Sequence, residues 1–339
     1  MEEKTAIDDW NICGHEKVVN FLQGSIKNDR VSNAYIFTGL GSLGKTTVAE
    51  KFAISLLCRD VPSSGSCGVC SECNQFKNRV HPDVYWLNRK NDEKTGKLKR
   101  NITIEQVREL RGKLQQATLL GGYKIAIING AESLNANGSN ALLKILEEPS
   151  KNTVIIMIVK DVHALLPTII SRCQVLNFLP VASKRIEGFL DTGDNNHLIS
   201  KLAHGRPGLA ISFKNSPELL SQYQARIQQF LQLASVGISG RLDLVGELID
   251  WSTDESLNIK RLYELFEDWQ LVVRDLILTQ SDNKPFVSSI GASDSLEKIS
   301  SKISFTRLKN FLLGIKDAKV MLRGNVGSKM LIENLIINL

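Results

Sequence analysis

The sequence predicts an α/β domain built on a parallel sheet, followed by an all-helical half. Three observations carry that prediction. Short apolar, β-branched runs such as "AYIFT", "KIAII" and "TVIIMIV" alternate with helix-period segments through the first 180 residues. Strands separated by helices point to a parallel sheet. The first of these strands runs into "GLGSLGKT" (Gly39 to Thr46), a match to G-x-x-x-x-G-K-[ST] that opens the next helix. After Pro180 the strand pattern stops, and from residue 216 onward only helical periodicity remains.

Each element follows from its residues. Residues 14–28 carry Val18, Val19, Phe21, Leu22 and Ile26 on one side, which predicts a helix. "AYIFTG" reads as a buried strand and "TVAEKFAISLLC" as the helix after the Gly-rich loop. Pro, Ser, Gly and Cys dominate 59–82, which predicts a loop. "DVYWLN" is a strand, and "NDEKTGKLKR" (91–100) a charged surface turn. In "ITIEQVRELRGKLQQAT", Ile104, Val107, Leu110 and Leu114 recur at helical spacing. "YKIAIING" is a strand, "GSNALLKILEE" a helix stopped by Pro149, and "TVIIMIV" a further buried strand. "ALLPTIISRC" leads into the last strand, "CQVLNFL". Short helices surround "HGRPG" within 183–215. In "RLYELFEDWQLVVRDLIL" one apolar face holds Leu262, Leu265, Phe266, Trp269, Val272, Val273 and Leu276. A Gly, Ser, Asn and Pro loop spans 281–294, and "SKMLIENLIINL" closes the chain. The expected division is therefore 1–180 (α/β), 181–215 (small helical) and 216–339 (larger helical).

At 339 residues the chain can bury two or three real cores. A net charge of +6 permits a nucleic-acid or acidic partner without demanding one. No apolar run approaches the ~20 residues of a membrane span. The opening "MEEKTAIDDW" is acidic and polar, unlike a secretory signal, so a cytoplasmic setting without membrane contact is expected.

Two motifs carry chemistry. In the Gly-rich loop, glycines let backbone N–H groups turn toward phosphates, Lys45 can reach the β- and γ-oxygens, and Thr46 can ligate Mg2+. Gly39, Gly41, Gly44, Lys45, Thr46 and Thr47 are the candidate nucleotide-binding residues. The alternative is a structural Gly-rich turn, or a loop kept without its ligand. Cys58, Cys67, Cys70 and Cys73 are spaced C-x8-C-x2-C-x2-C. Four thiolates close a tetrahedral zinc site and leave no open position, so the expected Zn2+ is structural. The competing reading is a redox pair in "CGVC". His81, beside Pro82, reads as a loop residue rather than a ligand.

Taken together, "GHEKVVNFLQGSIKNDRVSNAYIFTGLGSLGKTT", the cysteine knuckle, "SNALLKILEEPS" and "LLPTIISRC" resemble the AAA+ subunits of the bacterial sliding-clamp loader. The similarity spans roughly residues 10–212 and returns in "NVGSKMLIENLIINL". The resemblance implies a P-loop AAA+ domain with a zinc knuckle (58–73), a small helical lid domain and a C-terminal collar domain for hetero-oligomer assembly. It also implies gamma/tau and delta subunits as partners, with the sliding clamp and primer-template DNA reached through the complex. In the family's motor subunits the strand equivalent to "KIAIING" ends in Asp-Glu; here Asn129 and Gly130 stand there. Val159 takes the place of a polar sensor residue, and Gly208 that of a second-sensor Arg, with Arg206 offset by two. Phosphoryl transfer depends on positioning and charge stabilisation, so these losses imply ATP or ADP binding without turnover and leave Mg2+ open. Ser171-Arg172-Cys173 matches the motif whose Arg reaches a neighbour's ATP, and a planar, always charged guanidinium suits that task. The pattern is that of the loader's stator.

Two other readings compete. One is a gamma/tau-like ATPase in which Glu132 acts as a displaced carboxylate; the plainer role for Glu132 is to cap or solvate the next helix. The other is a zinc-containing DNA-binding module with an inert P-loop, which predicts steeply salt-dependent DNA binding.

Overall fold

The computed structural model describes residues 10–60, 65–91, 99, 101–249, 251, 255–281, 283, 286–289, 293–322 and 327–339. The acidic opening residues and most of the expected charged turn at 91–100 lie outside that set. So does part of the expected 281–294 loop.

Helix α1 (Glu16–Lys27) buries Val18, Val19 and Leu22. Strand β1 (Ala34–Thr38) leads through the Gly-rich loop into α2 (Lys45–Leu57). Then come α3 (Ser71–Lys77), β2 (Val84–Leu87), α4 (Ile104–Gln115) and β3 (Lys124–Asn129). A single 3-10 turn (Ala131–Ser133) separates β3 from α5 (Ala136–Glu147). Next are β4 (Thr153–Val159), the one-turn α6 (Pro167–Ile170) and β5 (Gln174–Asn177). The strands form one parallel sheet in the order β2-β3-β4-β1-β5.

The runs of Ile and Val follow from burial on both faces of this sheet. Tyr35, Phe37, Ile125, Ile127 and Ile156 pack on one side with residues of α1 and α2. Ile36, Ala126, Ile128, Ile155 and Met157 pack on the other with residues of α4 and α5. The period-2 alternation of a strand sorts them. In register, Thr38 pairs with Val159 and Asn129 with Ile158. The C-terminal ends of β1, β3 and β4 therefore lie together, where ligands of open parallel sheets gather.

One expectation is corrected. The loop expected over 59–82 contains α3, whose N-cap is Cys70, with its sulfur accepting from Cys73 N–H. Its composition is that of a loop, and the helix is only seven residues long.

Among the described residues the remaining elements are helices: α7 (Ser183–Phe189), α8 (Asn196–Leu202), α9 (Pro207–Asn215), α10 (Pro217–Ser235), α11 (Ile238–Leu248), α12 (Glu255–Gln280), α13 (Ser293–Ser300), α14 (Phe305–Met321) and α15 (Ser328–Ile337). On α12 the seven expected core residues, Leu262 through Leu276, are all buried. The chain divides into two compact units. One runs up to Phe189 and takes in Gly205–Leu209; the other comprises Leu190–His204 and Ala210–Leu339. The return of 205–209 to the first unit is fixed by backbone bonds: Val181 N–H donates to Gly205 O at 2.8 Å, and Gly208 N–H to Ser42 O at 2.9 Å. No described helix is long and apolar enough to cross a membrane.

Candidate functional site

The loop between β1 and α2 is shaped by its glycines. Gly39 sits at φ 142°, and a Cβ there would lie 2.3 Å from Phe178 O, so no other residue fits. The loop borders a cleft of about 540 Å³ at the C-terminal ends of the strands, lined by Gly41, Gly44, Lys45, Thr46 and Thr47 among others. Lys45 Nζ donates to the carbonyls of Gly39 and Leu40, each at 2.5 Å. Burial lowers its pKa to about 8, Glu132 pulls it up, and Lys160 pushes it down.

The remaining lining explains the altered motifs. Asn129 and Gly130 stand at the end of β3, and Val159 at the end of β4. None carries a charge. Glu132 lines the cleft too, and one of its carboxylate oxygens is buried without a hydrogen-bond partner. Its expected role as a helix cap is corrected: Asn135 caps α5, accepting from Gly138 N–H. Gly130 at φ 71° starts the 3-10 turn that carries Glu132 to the cleft wall. That turn is a backbone event with no side-chain pattern to announce it. Gly208, rather than Arg206, reaches the cleft. It does so with backbone only: a Cβ would sit 3.0 Å from Ser42 O, the atom that accepts its N–H. This bond satisfies one of the open donors in the first turn of α9. Arg89 and Lys160 also line the cleft and were not anticipated. Each follows a strand's C-terminal end closely, which is the one sequence signal that could have found them.

The four cysteines do converge. Their sulfurs all lie within 4.8 Å of one another, with Cys67 and Cys73 at 4.0 Å. A tetrahedral site with Zn–S of ~2.3 Å would set sulfurs roughly 3.8 Å apart, so the donor set fits. Cys67 N–H points to Cys58 Sγ and Cys70 N–H to Cys67 Sγ, as suits thiolate charge. Backbone N–H groups of Val69 and Cys70 hold the Cys67 thiol down to about 6, whereas burial raises Cys58 and Cys73. His81 is not among the converging ligands; it is buried, and its Nδ1 accepts from Asp83 N–H.

Ser171, Arg172 and Cys173 follow α6. Cys173 is half-buried and its thiol is pushed up to about 12 by burial. The Arg172 guanidinium is part exposed, pairing with Glu147 at 2.9 Å and donating to Thr168 O at 3.0 Å.

The chain is similar over nearly its whole length to known proteins. A subunit delta' of DNA polymerase III from Pseudomonas aeruginosa is 29% identical over 322 residues, covering 90% of this chain and 91% of that one. The subunit delta' of Bacillus subtilis is 27% identical and covers 95% of each. The tau subunit of Bacillus subtilis is 31% identical over 178 residues, 52% of this chain and 30% of that one. The family model described as DNA polymerase III, delta subunit, matches residues 14–182. With the parallel sheet and phosphate loop in place, the chain is similar over nearly its whole length to the subunits delta' of DNA polymerase III.

Proposed function

We propose that this chain is the stator of a sliding-clamp loader in DNA replication. It assembles in the cytoplasm with gamma/tau and delta subunits, and meets the clamp and primer-template DNA through them. It offers Arg172 to a neighbouring subunit's ATP and does not hydrolyse ATP itself. The observation that carries this reading is Asn129-Gly130 at the end of β3, in a chain matched over 95% of its length by a delta' relative. Without the Asp-Glu pair, β3 ends with no carboxylate of its own to hold Mg2+ or polarise water. In the proposed organisation 1–180 is the AAA+ domain, 181–215 the lid and 216–339 the collar through which subunits join. Gly39, Gly41, Gly44, Lys45, Thr46 and Thr47 would hold ATP or ADP, and Cys58, Cys67, Cys70 and Cys73 a structural Zn2+.

The finger is tested in the reconstituted loader. Fingers acting in trans are worth ~10³–10⁵ in rate at the site they serve. With several sites firing, Arg172→Ala should lower DNA- and clamp-stimulated ATPase in part, and clamp loading more severely. Wild-type values for both would end this reading.

One observation favours a second reading, a gamma/tau-like motor. Glu132 puts a carboxylate with an unpartnered oxygen into the cleft beside Lys45. Steady-state ATPase of the isolated chain decides. Turnover abolished by both Lys45→Ala and Glu132→Gln would place the chain among the motors.

A further inference from the structure

We infer that Glu147 is the positioning residue of the Arg172 finger, an inference that rests on the finger role proposed above. α5 ends at Glu147, and the following Glu148 leaves helical geometry ahead of Pro149. The carboxylate of Glu147 is thereby set at a helix end that Pro149 keeps from extending. Opposite it, α6 is a single turn opened by Pro167, and Arg172 comes just after its C-cap, Ser171. Thr168 O accepts from both Ser171 Oγ at 3.1 Å and Arg172 Nη1 at 3.0 Å. Glu147 Oε1 takes Arg172 Nη2 at 2.9 Å.

Two anchors on different helices define the plane of a rigid, planar group. A guanidinium carries five N–H donors, and these two contacts engage one donor on each terminal nitrogen. Three donors are left to meet phosphate oxygens. An unanchored Arg would surrender rotamer entropy when it docks. Glu147 and Thr168 O take up part of that ordering before the neighbour arrives, which is preorganisation. The pair does not trap the finger. Both side chains are substantially exposed, at 39% and 49%, and exposed pairs hold only weakly.

The test uses loader reconstituted with Glu147→Gln, Glu147→Asp, Arg172→Ala, or Glu147→Gln with Arg172→Ala, each checked for assembly by size exclusion. Glu147→Gln should lower the stimulated kcat about two- to tenfold, less than Arg172→Ala, and leave the KM for ATP unchanged. Glu147→Asp should recover most of the loss. On the Arg172→Ala background, Glu147→Gln should cost nothing more, because the two residues act as one unit. An unchanged or raised kcat in Glu147→Gln overturns the positioning role, and a raised one would mark Glu147 as a restraint. Losses that multiply in the double variant overturn it too. Arg172→Ala alone reports on the finger: if it is silent, both readings fall, whereas if it is deficient and Glu147→Gln is not, only the positioning role falls.

Discussion

Burial draws the Lys45 ammonium down to about 8, with Lys160 adding to the drop and Glu132 opposing it. A lysine serves a phosphate only while protonated. Raising the pH through 8 should therefore weaken ATP or ADP binding, and lowering it below 8 should restore it. A bound phosphate favours the charged form, so the fall in the complex should begin above 8. Calorimetric titration of the full chain at pH 7, 8 and 9 checks the direction. Glu132→Gln removes the charge that holds Lys45 up, and should move the midpoint to lower pH. Lys45 and its motif are legible in the sequence because a phosphate loop is a local object: glycines, lysine and hydroxyl stand next to one another. Glu132 is not legible in the same way, since its reach depends on the left-handed backbone at Gly130. The bond from Gly208 to Ser42 joins residues distant in the chain, and no local pattern encodes it.

Among the elements, β1, β3 and β4 announce themselves because a strand buried on both faces needs an apolar residue at nearly every position. Ile127 and Ile156 are fully buried in the center of the sheet. Truncating Ile127 to Ala should cost about 2–5 kcal/mol in urea denaturation, with an unchanged m-value. α4 is legible for another reason: Thr103 and Gln106 form a reciprocal capping box before the apolar stripe. Thr103→Ala should cost about 1 kcal/mol by the same measurement. α3 hides because it is only seven residues long and lies in a stretch rich in Pro, Ser, Gly and Cys. Its start, Cys70, is also a candidate ligand, so metal and helix should stand or fall together. Protein purified without chelator should contain one zinc per chain by elemental analysis. Cys70→Ser should lose it and lower the melting temperature, because binding energy at such a site is folding energy. A metal-free protein of full stability would remove zinc from this account.

In the whole molecule, the parallel sheet and its flanking helices frame the Gly-rich loop, and the strand ends beside it carry no acidic side chain. Asn129, Gly130 and Val159 sit where side chains need only complete a wall, and the β-branched residues before them still fill the core. The predicted order of elements was readable because α/β alternation and helical periodicity extend over many residues. The path by which the chain leaves the first unit at Phe189 and returns at Gly205 was not, because it follows from a few backbone bonds.

That return has a consequence for synthesis. The ribosome delivers every strand of the sheet well before Gly205–Leu209 emerges, yet Val181 N–H and Ser42 O wait for partners in that late segment. The sheet can gather early, but the rim of the phosphate loop is finished only when a stretch from beyond α8 arrives to seal it. A nascent chain stalled with residue 200 just outside the exit tunnel should remain open to protease near Ser42. One stalled with residue 215 outside should be protected there. The P-loop of this protein is thus completed by the growing chain doubling back, and its last rivet is a glycine.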